Sequence, residues 1–178
     1  TLVSIWWTSE ADAAGAGPGA KGFKMLNWHA ANGDFQMIKD IQKLLVDADK
    51  SQTPKDMVGT VLYNRGVYNS MLIAEGIRNA QKVTGKKVVT GEDVRRGLET
   101  MNVDAARLKE IGLDGFANPV KLTCKDHNSH QATFVQEFDG AKYVKVSDWI
   151  KPMTEKVGPL LEAAAKDYAE KNTGWPKR

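Results

Sequence analysis

Four groups of side chains have the types and spacing to do chemistry. Cys124, His127 and His130 place one thiol and two imidazoles at three-residue intervals. Thiolate and neutral imidazole suit zinc, and three such ligands with one open position make a catalytic zinc site. A polar loop whose side chains bond their own backbone accounts for the same residues. The only other histidine is His29. The second group, Gly17-Pro18-Gly19-Ala20-Lys21-Gly22, formally matches GxGxxG. In a nucleotide-binding fold those glycines join a strand to a helix, so that backbone N–H groups face a pyrophosphate. Here the following run, residues 23–28, reads as a strand, Pro18 lacks an N–H, and Lys21 is followed by glycine instead of Ser or Thr. A connecting loop is the simpler account.

The third group is Trp6-Trp7-Thr8-Ser9-Glu10, at the carboxyl end of the first apolar run. Open α/β sheets bind ligands outside the carboxyl ends of their strands. Two indoles beside hydroxyls and a carboxylate can enclose an apolar or aromatic solute that carries a cationic or hydroxyl handle. One Trp in the core and a solvated loop would explain the same pattern. Tyr63, Asn64 and Arg65 offer a second wall. Arg65 can face a carboxylate with two parallel N–H groups, or it can sit in a surface ion pair.

Positioning these groups requires a folded domain, and the composition allows one. Hydrophobic residues are 42% of the 178 and charged residues 26%, enough apolar content for a core. The net charge of +3 is small and its signs are interspersed. A phosphate-binding footprint needs clustered positive charge, so nucleic-acid binding is not expected. A single cysteine excludes an internal disulfide framework. No apolar run reaches the roughly 18 residues a membrane span needs.

Local patterns predict the elements. Residues 3–7 read as a buried strand, residues 8–12 as a polar turn, and residues 23–28 as a second strand. Helical spacing of apolar residues runs over residues 35–46 and again over 58–83, the latter with Val67, Ser70, Met71, Ala74, Ile77 and Ala80 on one face. Gly59, Gly66 and Gly76 weaken that helix by about 1 kcal/mol each relative to Ala, so they mark close packing or a break. Thr90-Gly91-Glu92-Asp93 has the form of a helix cap with an acidic first turn. Asp104 caps a short helix that stops at Gly112. After Pro119 the period falls to two, and Asp139-Gly140 forms the tight turn of a hairpin. Residues 158–171 predict a tail helix, with Asp167 and Lys171 an ion-pairing step apart. The fold class is α/β.

In this order the elements resemble the carboxyl-terminal half of the type I periplasmic solute-binding proteins of ABC transporters, the leucine/isoleucine/valine-binding family. Ile5 to Glu10 as a strand and turn, then Lys21-Gly22-Phe23-Lys24, match the start of that half. Residues 63–80 are similar to the family's helix of the form Tyr-Asp-Ala-Val…Ala-Glu-Ala-Ile, with Val67 in place of a tyrosine and Gly76 in place of an alanine. Asn118-Pro119-Val120-Lys121-Leu122 resembles its hinge strand, with Asn for Gly. Residues 134–143 resemble its last hairpin. The ordered set carries the resemblance, since each motif alone is common.

The resemblance implies two α/β lobes, joined by three crossovers, that close on a small solute. It implies that residues 1–52 belong to the second lobe and 53–119 to the first. Residues 120–150 would then form the hinge crossover and closing hairpin, and 151–178 a terminal helix and tail. It also implies that the chain, which opens in mid-strand, is the later half of a larger protein whose amino-terminal half supplies the anchor for the ligand's carboxylate. Solute contacts are expected from Thr8, Ser9 and Glu10 in the second lobe, with Glu10 receiving an ammonium, and from Leu62 and Tyr63 in the first. The expected protein is a non-enzymatic, extracytoplasmic receptor for an amino acid or an aromatic or carboxylic acid. It needs no cofactor, delivers to a membrane permease, and has its signal peptide in the part before Thr1. A zinc enzyme built on Cys124, His127 and His130, or a nucleotide-binding domain built on the glycine loop, are the alternatives.

Overall fold

The computed structural model describes residues 3–4, 8–129 and 131–174. Trp6, Trp7 and His130, three of the residues singled out above, lie outside the described residues. A four-stranded sheet has the order β1-β2-β5-β6. Its strands are β1 (Val3–Ser4), β2 (Lys24–Asn27), β5 (Phe134–Phe138) and β6 (Tyr143–Lys145). Strand β1 runs parallel to β2, and the other two pairings are antiparallel.

Alternation fixes the faces of this sheet. Met25 and Asn27 from β2, and Phe134, Gln136 and Phe138 from β5, point to the buried side. Asn27 lies opposite Phe134 and Met25 opposite Gln136. The two buried amides satisfy each other, Asn27 Nδ2 donating to Gln136 Oε1 at 3.2 Å. An unpaired amide there would cost about 1–3 kcal/mol. On the opposite face Lys24 pairs with Glu137. The hairpin closes as its residues predict. Asp139 Oδ1 accepts from the Ala141 and Lys142 amides, and Gly140 takes a φ of +113°, which side chains rarely adopt.

The expected polar turn over residues 8–12 is instead the start of a helix, α1 (Glu10–Gly15). Ser9 and Asp12 form a reciprocal capping box, Asp12 N donating to Ser9 Oγ and Ser9 N to Asp12 Oδ2. This satisfies the first amides and lets the alanine-rich segment wind. The glycine loop follows as a short 3-10 turn at Pro18–Ala20 and leads into strand β2, with no helix after it. Gly22 N donates to Phe138 O at 2.9 Å, tying the loop to the hairpin.

Between β2 and β5 in the chain, which are direct neighbours in the sheet, comes a run of helices. It comprises α2 (Gln36–Ile41), which widens into a π turn over Gln42–Val46, then α3 (Val61–Thr84), α4 (Gly91–Glu99) and α5 (Ala105–Glu110). A two-stranded ribbon pairs β3 (Asn102–Val103) with β4 (Val120–Lys121). Gly59 does not lie inside α3: it sits before it at φ +86°, where a Cβ would meet the Asn32 and Gly33 backbone at 2.8 Å. Helices α3 and α4 meet at Gly76 and Gly97. A Cβ on Gly97 would lie 2.7 Å from the Ala80 backbone nitrogen, so the crossing requires glycine there. The Thr90 box is present, and bonds from the Thr90 amide and hydroxyl and from Lys86 pull the Asp93 carboxyl down to about 2. A final helix, α6 (Thr154–Lys171), has no buried residue.

Two apolar clusters result. One gathers around the sheet: Ala13, Ala20, Met25, Ala31, Val61, Phe138 and Tyr143. The other gathers under α3, around Tyr68, Met71, Met101, Leu113, Phe116 and Val120, with Trp28, Phe35 and Met37 packed against it. Each fully buried large side chain contributes about 1.5–3 kcal/mol. The two clusters adjoin at residues 28–31, where Trp28 packs on the cluster under α3 and Ala31 belongs to the cluster around the sheet. There His29 bridges Ala117 in antiparallel register, and Ala30 N donates to Phe116 O at 2.8 Å.

Candidate functional site at the passage between the two clusters

The amino end of α3 lies against α1. Thr60, at the cap position, turns its hydroxyl to Met57 O at 2.7 Å and leaves the first helical amides uncapped. Glu10 takes that place: Val61 N donates to its two carboxylate oxygens at 3.0 and 3.1 Å. A helix of 24 residues carries roughly half a positive charge at this end, so an anion there is stabilising. Glu10 thereby joins the sheet side of the molecule to the helical side. It also lines a crevice of about 530 Å³ with Asn32, Asp56, Thr60, Lys142 and Tyr143. Tyr143 is buried, and that burial pushes its phenol up to about 12, with Glu10 and Asp12 adding to the shift.

One turn into α3, Asn64 is fully buried and its amide donates to Ala30 O and Asn32 O, both at 3.0 Å. These bonds satisfy the carbonyls of the passage segment. Arg65, one turn from Val61, donates from Nε to His29 Nε2 at 3.4 Å, and its guanidinium carbon lies 5.2 Å from the centre of the Trp28 ring. His29 is fully buried. Its ring stacks on Tyr68 at 6.0 Å and on Phe116 at 5.7 Å. Burial pushes the His29 imidazole down to about 4; the Ala30 carbonyl opposes this and the Arg65 charge adds to it. Burial also lowers the Arg65 pKa from its high ordinary value.

The remaining candidates go elsewhere. Leu62 is half exposed and, with Tyr63, lines an apolar groove of about 640 Å³ between α2 and α3, shared with Met37, Ile41, Val67 and Met71. Thr8 lines a separate crevice with Ala13, Ala16, Gly19 and Phe23. Ser9 is buried in its capping box. Of the predicted set, therefore, Glu10 reaches the amino end of α3 at Val61, whereas Leu62 and Tyr63 line another groove, Arg65 turns to His29 and Trp28, and Thr8 lies apart.

His29 was not expected at this place, and Asn64, expected with Tyr63 and Arg65 as a wall, instead bonds the Ala30 and Asn32 carbonyls. The one signal for His29 in the sequence is its place directly after Trp28, just beyond the end of β2.

The alternative chemistries find little support. Asp126 Oδ1 accepts from the Asn128 and Ser129 amides, so the loop after Cys124 is a local turn, and His127 Nε2 lies 3.5 Å from Glu99. Among the described residues no three His, Cys, Asp or Glu side chains are grouped to hold a metal ion. The glycine loop enters a strand, the geometry opposite to a pyrophosphate cradle.

No protein-family model matches the chain, and no curated protein sequence matches it. Solved structures do. A structure described as an ABC transporter permease from the Pseudomonas fluorescens group is 35% identical, with a TM-score of 0.90 over 99% of this chain and 43% of that one. A branched-chain amino acid ABC transporter from Thermus thermophilus, solved with bound valine, is 20% identical, with a TM-score of 0.65 over 85% of this chain and 39% of that one. An ABC transporter substrate-binding protein from Aeropyrum pernix is 16% identical, with a TM-score of 0.60 over 85% of this chain and 38% of that one. The chain thus spans about two-fifths of the length of the structures it matches. All three neighbours are described as ABC transporter proteins. From the sheet order, the passage at residues 28–31 and these matches together, the chain carries part of the type I periplasmic solute-binding fold of ABC transporters.

Proposed function

We propose that this chain forms part of the extracytoplasmic solute receptor of an ABC importer, binding an amino acid or an aromatic or carboxylic acid between two lobes. The observation that carries the reading is the contact of Glu10 with the first amide of α3, a helix that starts in the sheet cluster at Val61 and runs into the helical cluster at Tyr68 and Met71. A cleft bordered by both clusters changes shape when they move, which is how a hinged receptor traps a ligand. The sheet cluster would belong to one lobe and the helical cluster to the other. The resemblance puts the change of lobe near residue 52; Phe35 and Met37, before it, pack with the helical cluster, and Val61, after it, packs with the sheet cluster.

Glu10, at the mouth of α3, is the group for an ammonium, which would share the carboxylate with the Val61 amide. Arg65 adds a cation for a carboxylate, and Trp28 beneath it supplies an apolar wall. Trp6, Trp7, Thr8, Ser9, Leu62 and Tyr63 complete the proposed set of contacts. A membrane permease would receive the solute, and the location would be periplasmic or tethered outside the membrane. Valine bound to the Thermus thermophilus structure makes a small amino acid the first solute to try. Calorimetric titration with L-valine, L-phenylalanine and benzoate tests the reading. Glu10→Gln should weaken the two amino acids and spare benzoate, whereas unchanged affinities would remove Glu10 from the site.

A further inference from the structure

We infer that His29 is a positioning residue for Arg65: its neutral Nε2 accepts the Arg65 Nε–H and sets the direction in which the guanidinium meets a solute carboxylate. This rests on the solute-receptor reading above and names the residue that orients its cation. Arginine has donors only. The ring nitrogen facing Arg65 must therefore carry a lone pair, so the proton sits on Nδ1, which faces Ala30 O at 3.3 Å. One tautomer satisfies both contacts and the other satisfies neither.

The ring is fully buried among three aromatic side chains. Tyr68 and Phe116, 6.3 Å from each other, pack beside it at interplanar angles of 26° and 19°, and Trp28 meets it edge-on at 6.0 Å. The backbone of His29 is pinned to Ala117. Arg65 is thus gripped by a group that belongs to the passage between clusters and not to its own helix. Burial keeps the imidazole uncharged at neutral pH, so it accepts a hydrogen bond without repelling the guanidinium. A guanidinium is planar, so fixing Nε–H fixes the plane of the whole fork. With the direction of that fork set in advance, a carboxylate would bind without first ordering a long side chain.

Nitrogen-15 NMR of the 178-residue chain tests this. The imidazole shifts of His29 should report the Nδ1–H tautomer; an Nε2–H tautomer would overturn the inference at once. In His29→Phe, which keeps a ring in the stack but removes the acceptor, the Arg65 Nε–H should exchange with water about tenfold faster or more, the effect of losing one hydrogen bond to a charged group. His29→Gln, which restores an acceptor, should recover at least part of that protection. Equal exchange in all three proteins would show that His29 merely fills space. Benzoate, with benzamide as its uncharged control, is then titrated while the Arg65 Nε–H signal is followed. A benzoate-specific shift in the native chain that weakens about tenfold in His29→Phe supports the positioning role. A shift of unchanged affinity in His29→Phe overturns it while leaving Arg65 as a solute contact. No shift in the native chain removes Arg65 from the solute site altogether, and the role of His29 toward a solute with it.

Discussion

Helices α3 and α6 are both long, and both read as helices from their spacing, yet the molecule uses them in opposite ways. Helix α3 has 24 residues and buries Val61, Asn64, Tyr68, Met71, Gly76 and Ala80. Its amino end is held by Glu10, its middle is locked to α4 through two glycines, and Asn64 and Arg65 reach into the passage between clusters. Helix α6 has 18 residues and buries none; Leu160, Leu161 and Tyr168 are all more than half exposed. The difference teaches where stability comes from. Propensity alone leaves a helix of this length marginal in water, and packing supplies the rest. A helix without packing answers only to its own sequence.

The comparison breaks most severely at the α3–α4 crossing. Gly97→Val should cost roughly 3 kcal/mol or more, because the added carbons meet the backbone at Gly76 and Ala80 and neither can yield. A urea melt followed by circular dichroism reads this as a lower midpoint.

Acid gives the next largest effect. The folded imidazole of His29 titrates near 4, below its ordinary 6.5, so between those values the unfolded chain binds more protons. Stability is therefore complete above about pH 6.5, falls as pH drops through this window, and has lost about 3 kcal/mol by pH 4. Amide exchange should quicken along α3 in that range. Helix α6, which packs on no buried titrating group, should change little.

Thr90→Ala removes one arm of the α4 capping box and should cost about 1 kcal/mol in the same melt. Gly66→Ala carries the opposite sign. This glycine is exposed within α3 with nothing within 4 Å of a new Cβ, so alanine should add somewhat under about 1 kcal/mol. The smallest change belongs to α6: Leu160→Ser should move global stability by no more than about 0.5 kcal/mol. A larger loss would mean that α6 is packed in solution, and the contrast between the helices would fail.

How much of this was legible depended on the reach of each interaction. The Thr90 and Asp104 caps and the Asp139-Gly140 turn were readable because each is a hydrogen bond between residues two or three apart. The Ser9 box is equally local, but Ser9-Glu10-Ala11-Asp12 also satisfies the pattern of a polar turn. What separates the two readings is burial of Ala13 against the sheet. The candidate site was half legible. Residue types marked Glu10 and Arg65 as groups with chemistry to offer. Their partners are 51 and 36 residues away along the chain, and no local spacing points to Val61 or His29. Gly76 showed as a cost in the helix pattern, while the neighbour that justifies it, Leu98 at 2.5 Å from a built Cβ, lies on another helix.

By itself the amino-acid order determined most of the elements, the Thr90 and Asp104 caps, the hairpin turn and the succession that resembles a solute-binding lobe pair, because those follow from bonds within a turn or from periodicity. Only the tertiary structure decided which groups confront one another: a carboxylate on a helix end, an arginine on a buried neutral histidine, and two glycines back to back. Such meetings are set by how distant segments bury their apolar faces, and that burial is a property of the whole folded chain.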